Sequence, residues 1–127
     1  MSTTPTTSST KTEQAAIMQV ALDYFEGWFD GDPARMERAL HPALAKRALA
    51  DDGHNVDHTT AAEMIDDTAR GLGKTRDVPD RRVEVEVEDV YGAIANVTVR
   101  SAVYREYVQL ARTRGGWKII NALWQRT

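Results

Sequence analysis

The stretch YREYVQLARTRGGWKIINALWQ, Tyr104 to Gln125, decides the fold. Its first run alternates with a period of two. Tyr104, Glu106, Val108 and Leu110 fall on the inward side, and Arg105, Tyr107 and Gln109 on the other, although one bulge would invert that facing. ARTRGG reads as a turn. The second run carries apolar residues at both alternating positions, so both of its faces expect a cover. Helices would take one face and a partner subunit the other. Asn121 shares its alternating row with Trp117, Ile119 and Leu123. A lone amide in such a row needs hydrogen-bond partners once buried, which makes Asn121 and Leu123 pocket candidates.

Upstream, Val83, Val85 and Val87 alternate with Glu84, Glu86 and Glu88, a half-buried strand with a solvated acidic face. Tyr91-Gly92 turns it. Ala95, Val97 and Val99 then alternate with Asn96, Thr98 and Arg100, and a break is needed near Ser101-Ala102. Before these strands come helices. Ile17, Val20, Ala21, Tyr24, Phe25, Trp28 and Phe29 form a wide apolar stripe on a long helix, which should end at Asp30-Gly31. Asp32-Pro33 restarts a short helix to about Leu40, closed by His41-Pro42 because the residue before proline avoids helical backbone. ALAKRALA, 43–50, is ambiguous: its composition favours helix, yet it is short and follows a proline. Residues 51–58 read as a polar loop with room for a brief strand. Thr60 and Glu63 fit a capping box opening a third helix to about Leu72, and GLGKTRDVPD reads as a loop. Helices followed by antiparallel strands make an α+β domain, helices on one sheet face.

The totals bound the rest. The 127 residues suit one domain, and 42% apolar content suffices for a core. Residues 1–12, almost all Ser, Thr and Pro, read as a disordered tail ahead of a domain spanning 13–127. A net charge of −3 argues against a nucleic-acid partner, which wants a basic stripe. No apolar run is long enough for a membrane span, and no signal peptide is visible. The absence of cysteine removes thiol chemistry and fits a reducing cytoplasm. No phosphate-binding loop, dinucleotide fingerprint, nucleophile elbow or zinc signature is present, so no cofactor is expected.

An ordered set of segments adds a resemblance: Tyr24 to Asp32, Leu40-His41-Pro42 with Ala45-Lys46-Arg47, Asp89 to Gly92, Glu106-Tyr107 with Leu110, and Gly116 to Ile119 with Asn121 and Leu123-Trp124. Together they resemble the cone-shaped nuclear transport factor 2-like superfamily, and within it the putative lumazine-binding family, over about residues 14–125. The resemblance implies a strongly curved antiparallel sheet around a pocket roofed by the first helix, and homodimers through the outer sheet face. The superfamily includes isomerases, dehydratases, cyclases and non-catalytic binding modules, so fold alone does not choose. Its ketosteroid isomerase-like members imply more. A tyrosine eight residues before the aspartate of a Gly-Asp turn matches Tyr24 before Asp32. Their late-strand acid, completing an oxyanion hole, corresponds to Glu106, where the family would favour Asp. A phenol and a neutral acid in an apolar pocket could hydrogen-bond an enolate. Their general base has no counterpart, because Arg47-Ala48-Leu49 stands there, and steroid-type isomerisation is disfavoured.

Each candidate has a plainer reading. Tyr24 is otherwise a core tyrosine, and Glu106 otherwise an ion pair with Arg105, Lys118 or another base. His41 could act as a base near neutrality, or simply close the second helix. His54, Asp57 and His58 have partial metal-ligand spacing but sit in a loop, so no metal is expected. Lys46 and Arg47 could attract an anion, or be exposed charge on an edge, the simpler reading. Trp28 and Trp124 could stack on a flat ligand or belong to core or interface. Three functions follow. The first is a small-molecule site for a hydrophobic or aromatic ligand, lined by Tyr24, Trp28, Met64, Glu106, Asn121 and Leu123. The second is a cofactor-independent isomerase or lyase in which Tyr24 and Glu106 polarise and His41 is the base. The third is an interaction module with no cavity. Without a convincing base, the first reading leads.

Overall fold

The computed structural model describes residues 7–76 and 81–127. The elements run α1 (Thr7–Asp30), α2 (Pro33–Ala39), β1 (Leu40–Leu49), β2 (Val56–Thr59), α3 (Ala61–Ala69), α4 (Leu72–Arg76), β3 (Val83–Tyr91), β4 (Ile94–Ser101), β5 (Tyr104–Thr113) and β6 (Gly116–Arg126). The disorder expected for residues 1–6 lies outside the described residues, as do residues 77–80 of the expected loop. Residues 7–12 continue α1, so the helix starts earlier than composition suggests. Part of the expected loop at 71–80 is instead the short α4.

Local chemistry sets the helix boundaries. Gly31 takes a positive φ of 67° and ends α1, its N–H donating to the Trp28 carbonyl while the Asp32 N–H reaches the Gly27 carbonyl. These two bonds satisfy carbonyls that the last turn leaves open. The Asp32 side chain then accepts from the Ala34 and Arg35 N–H groups, with Pro33 in the first turn of α2. Thr60 and Glu63 form the reciprocal capping box that opens α3.

The six strands lie in the order β2-β1-β6-β5-β4-β3, antiparallel except where β1 runs parallel to β6. The ambiguous ALAKRALA is therefore strand. Pairing to β6 on one side and β2 on the other overrides its helical composition. Its alternation buries Leu44, Lys46 and Ala48 and leaves Arg47 and Leu49 exposed.

One irregularity sets which side chains face in. Leu110 pairs with Ile119 and Gln109 with Asn121, which leaves Ile120 as an extra residue in β6. Such a bulge swaps the faces of everything beyond it. Trp117 and Ile119 are buried before it, whereas Ala122 and Trp124 face the helices after it. Two inward rows result: Val97–Val108–Ala122–Lys46 and Val99–Glu106–Trp124–Ala48. The α1 stripe of Ile17, Ala21, Tyr24, Phe25, Trp28 and Phe29 closes over this face to form the core.

Gly73 of α4 seats Trp28 at the edge of that core. A Cβ there would lie 2.4 Å from the Trp28 carbonyl oxygen and 2.7 Å from its indole nitrogen. Gly73→Ala is expected to destabilise the fold by about 1–3 kcal/mol through overpacking. The signature is a lower urea midpoint at unchanged slope. A midpoint equal to that of the unsubstituted protein would place α4 away from Trp28.

Candidate functional site

Between α1, α3 and the inner sheet face lies a cavity of about 100 Å³. Tyr24, Phe25 and Trp28 of α1, Met64 and Asp67 of α3, Lys46 of β1, Thr59 of β2, Tyr104 and Glu106 of β5, and Trp124 of β6 line it. Thr59, Asp67 and Trp124 are its partly exposed members and mark the solvent side.

At its inner wall, three polar side chains form a chain. The Tyr24 hydroxyl donates to Glu106 Oε2 at 2.7 Å, and the Lys46 ammonium donates to the Tyr24 oxygen. Lys46 Nζ also stands 3.8 Å from Glu106 Oε2, 3.5 Å from Met64 Sδ, and 4.9 and 5.4 Å from the ring centres of Tyr24 and Trp124. Tyr104 packs edge-on against Trp124, centroids 5.2 Å apart, and holds that ring at the cavity. Lys46 and Glu106 are 7% and 2% exposed, so neither charge is hydrated as it would be on a surface.

Burial therefore dominates their protonation. It pushes the Glu106 carboxyl above the usual range, against the opposing pull of Lys46 and of the Tyr24 hydrogen bond. It draws the Lys46 ammonium below its usual value, against Glu106 and Asp67. Burial, then Glu106, holds the Tyr24 phenol well above its usual 10.0, so it stays protonated and donates. The depressed amine and the raised acid approach one another. A proton passing from Lys46 to Tyr24 as Tyr24 passes its own to Glu106 turns the ion pair into a neutral amine and a neutral acid.

Tyr24, Trp28, Met64 and Glu106 are thus brought together. Asn121 and Leu123 are not: the Ile120 bulge turns both to the outer face, which corrects their assignment to the pocket. Asn121 there donates to Gln109, which donates to Asn96, an amide ladder across three strands at 3.0 and 2.9 Å. Leu123 is 54% exposed. His41 does not line the cavity; its Nδ1 accepts the Ala43 N–H at the entry to β1. It sits in the irregular first part of β1, where the register to β6 shifts between Leu40 and Ala45, so the base role has no geometry behind it. His54, Asp57 and His58 are exposed, and among the described residues no acidic or histidine cluster is placed to hold a metal. Lys46, for which exposed charge on an edge is the simpler sequence reading, instead points inward from a strand paired on both sides. The available signal was its alternation with Leu44 and Ala48.

Removing one member of a buried pair costs more than removing both. Lys46→Met is expected to lose about 3–5 kcal/mol by stranding Glu106, whereas adding Glu106→Leu should recover most of that loss. Urea titrations of the two variants measure it. A double variant no more stable than Lys46→Met would deny that the two side chains are paired.

Comparison with known proteins agrees with this fold. The family model described as "Putative lumazine-binding" matches residues 12–125. No curated protein matches the chain. Among solved structures, a nuclear transport factor 2-like protein of unknown function from Silicibacter pomeroyi DSS-3 aligns with a TM-score of 0.73 at 14% identity, covering 93% of this chain and 98% of that one. One from Shewanella baltica OS155 aligns at 0.69 and 15% identity, covering 92% and 95%. A de novo designed protein with a curved β-sheet reaches 0.60 at 15% identity, covering 91% and 98%. At such identities the likeness is one of fold. The chain belongs to the putative lumazine-binding family and has the nuclear transport factor 2-like fold.

Proposed function

We propose that this protein binds a small molecule whose polar head meets Lys46, Tyr24 and Glu106 while an apolar or aromatic body lies along Trp28, Met64, Tyr104 and Trp124. The observation that carries this reading is the buried polar chain at the wall of an otherwise apolar cavity. Ligand sites have this composition, apolar walls with a few convergent polar groups. The family description supports a small-molecule ligand. The volume limits its identity. About 100 Å³ holds roughly three waters, so the head enters as a few heavy atoms and the remainder sits toward Thr59 and Asp67.

The isomerase or lyase alternative keeps its two polarising acids, since Tyr24 and Glu106 are joined in the cavity. It loses its base, because His41 stands elsewhere. The interaction-module reading expects no cavity. Binding is the better-supported function. Native mass spectrometry of the protein isolated under gentle conditions identifies any retained ligand. Tyr24→Phe and Glu106→Gln should each weaken that ligand by about 1–3 kcal/mol, roughly five- to 150-fold in Kd. Unchanged affinity in both variants places the ligand at another site.

The outer sheet face supports a homodimer. Tyr107 and Leu123 are 52% and 54% exposed there, in the row Thr98–Tyr107–Leu123–Arg47 beside the amide ladder. Exposed apolar side chains on a sheet face suit a second copy. The cysteine-free sequence fits a reducing cytoplasm, and among the described residues no helix is long and apolar enough to cross a membrane. Leu123→Lys should convert a dimer to a monomer in light-scattering chromatography without altering ligand affinity. A species of unchanged mass would remove this face from the interface.

A further inference from the structure

We propose that Lys46 is a nucleophile, and that the cavity takes a small aldehyde or ketone which Lys46 captures as a Schiff base. The inference rests on the binding reading above and deepens it by naming the ligand class. Three features of the site point to it.

The amine is enclosed. Its neighbours are the Tyr24 oxygen, Met64 Sδ and the rings of Tyr24 and Trp124, with one carboxylate oxygen 3.8 Å away. Few of these neighbours replace the water that an ammonium holds on a surface, whereas a neutral amine needs little. The amine also has a route for its proton. Tyr24 accepts from Lys46 and donates to Glu106 at 2.7 Å, so one concerted shift frees the nitrogen lone pair and stores the proton on the acid. Lastly, the residue type matters. Arginine serves a purely structural buried pair and keeps its charge, while lysine can give its proton up and attack a carbonyl.

The chemistry closes with these groups alone. The lone pair of the Lys46 amine attacks the carbonyl carbon, a C–N bond forms, and the C=O π pair moves to oxygen. That oxygen takes a proton from the Tyr24 hydroxyl, which Glu106 replenishes, while the nitrogen gives a proton back to the relay. A second proton through Tyr24 lets the C–O bond break, and the hydroxyl leaves as water as C=N forms. The two amine hydrogens leave with the carbonyl oxygen, so no oxidant or reductant is needed. The imine, once protonated, is a cation beside the Glu106 carboxylate and the two rings that now flank the ammonium. A cavity of about 100 Å³ selects carbonyl compounds of a few heavy atoms or the carbonyl end of a longer one.

The test uses the intact folded protein and its four lysines, Lys11, Lys46, Lys74 and Lys118. Glyoxylate, pyruvate and propanal are each added at neutral pH with sodium cyanoborohydride, and peptide mapping reads the reduced adduct at each lysine. Lys46 is expected to label several-fold faster than the exposed Lys11 and Lys74, because an enclosed amine with a proton acceptor at hand presents more of its free form. The preference should vanish in denaturant. Tyr24→Phe, which keeps the ring and removes the relay hydroxyl, should slow Lys46 labelling while leaving Lys11 and Lys74 unchanged. Labelling of Lys46 no faster than that of the exposed lysines with all three probes overturns the proposal. Melting temperatures measured with the same probes, without reductant, separate the two claims. A rise without the Lys46 adduct leaves binding intact and removes the nucleophile; neither signal removes small carbonyl ligands from the binding reading too.

Discussion

The desolvation of Lys46 is the constraint on which the site depends. An ammonium taken out of water costs several kcal/mol unless partners recover it. Here one phenol and one carboxylate must do so from two other elements, α1 and β5. That fixes three things at once: the turn of α1 that presents Tyr24, the β5 face that carries Glu106, and the inward phase of β1. Two opposing effects act on the pair. Burial pulls the amine toward neutrality and the acid toward protonation, while their mutual attraction opposes both. A structural ion pair selected only for stability is often matched or bettered by apolar residues of similar volume. Stability alone therefore does not account for the buried pair.

That wall depends on backbone geometry remote from the chemistry. The extra residue Ile120 inverts the last half of β6, bringing Trp124 into the row that already contains Glu106 and sending Leu123 outward. A strand paired without the bulge would put Leu123 and Asn121 against α1 and expose the tryptophan. The same residue thereby shapes two surfaces. Inside, Trp124 flanks the lysine; outside, Asn121 completes the amide ladder with Gln109 and Asn96.

Much of this was legible in the sequence, for identifiable reasons. Tyr24 and Trp28 lie on an apolar stripe with a 3.6-residue period, and Glu106 lies in phase with Val108 and Leu110, so simple periodicity turns all three inward. Thr60–Glu63 and Asp30–Gly31–Asp32 carry their own local chemistry, and both boundaries follow from it. What could not be read depends on partners distant in the chain. ALAKRALA becomes a strand because β6, more than seventy residues later, pairs with it. A lysine in an alternating row ordinarily signals the wet face, so the inward Lys46 contradicts the usual inference. The bulge at Ile120 carries no glycine to announce it, and Asn121 and Leu123 were misassigned for that reason alone. The fold likeness to a designed protein makes the complementary point. A curved sheet under helices forms without any inherited chemistry, so the function of this chain has to be argued from its own buried side chains.

The measurement that bears most directly on the account is the titration of the Lys46 side chain by NMR, following its Cε and Hε resonances across the alkaline range in the folded protein. Lys46 should lose its proton below the usual lysine value of 10.5, with the Tyr24 ring resonances responding over the same range. A Lys46 amine that titrates at or above that value, with no response from Tyr24, would contradict the buried polar chain from which the site and its proposed chemistry are built.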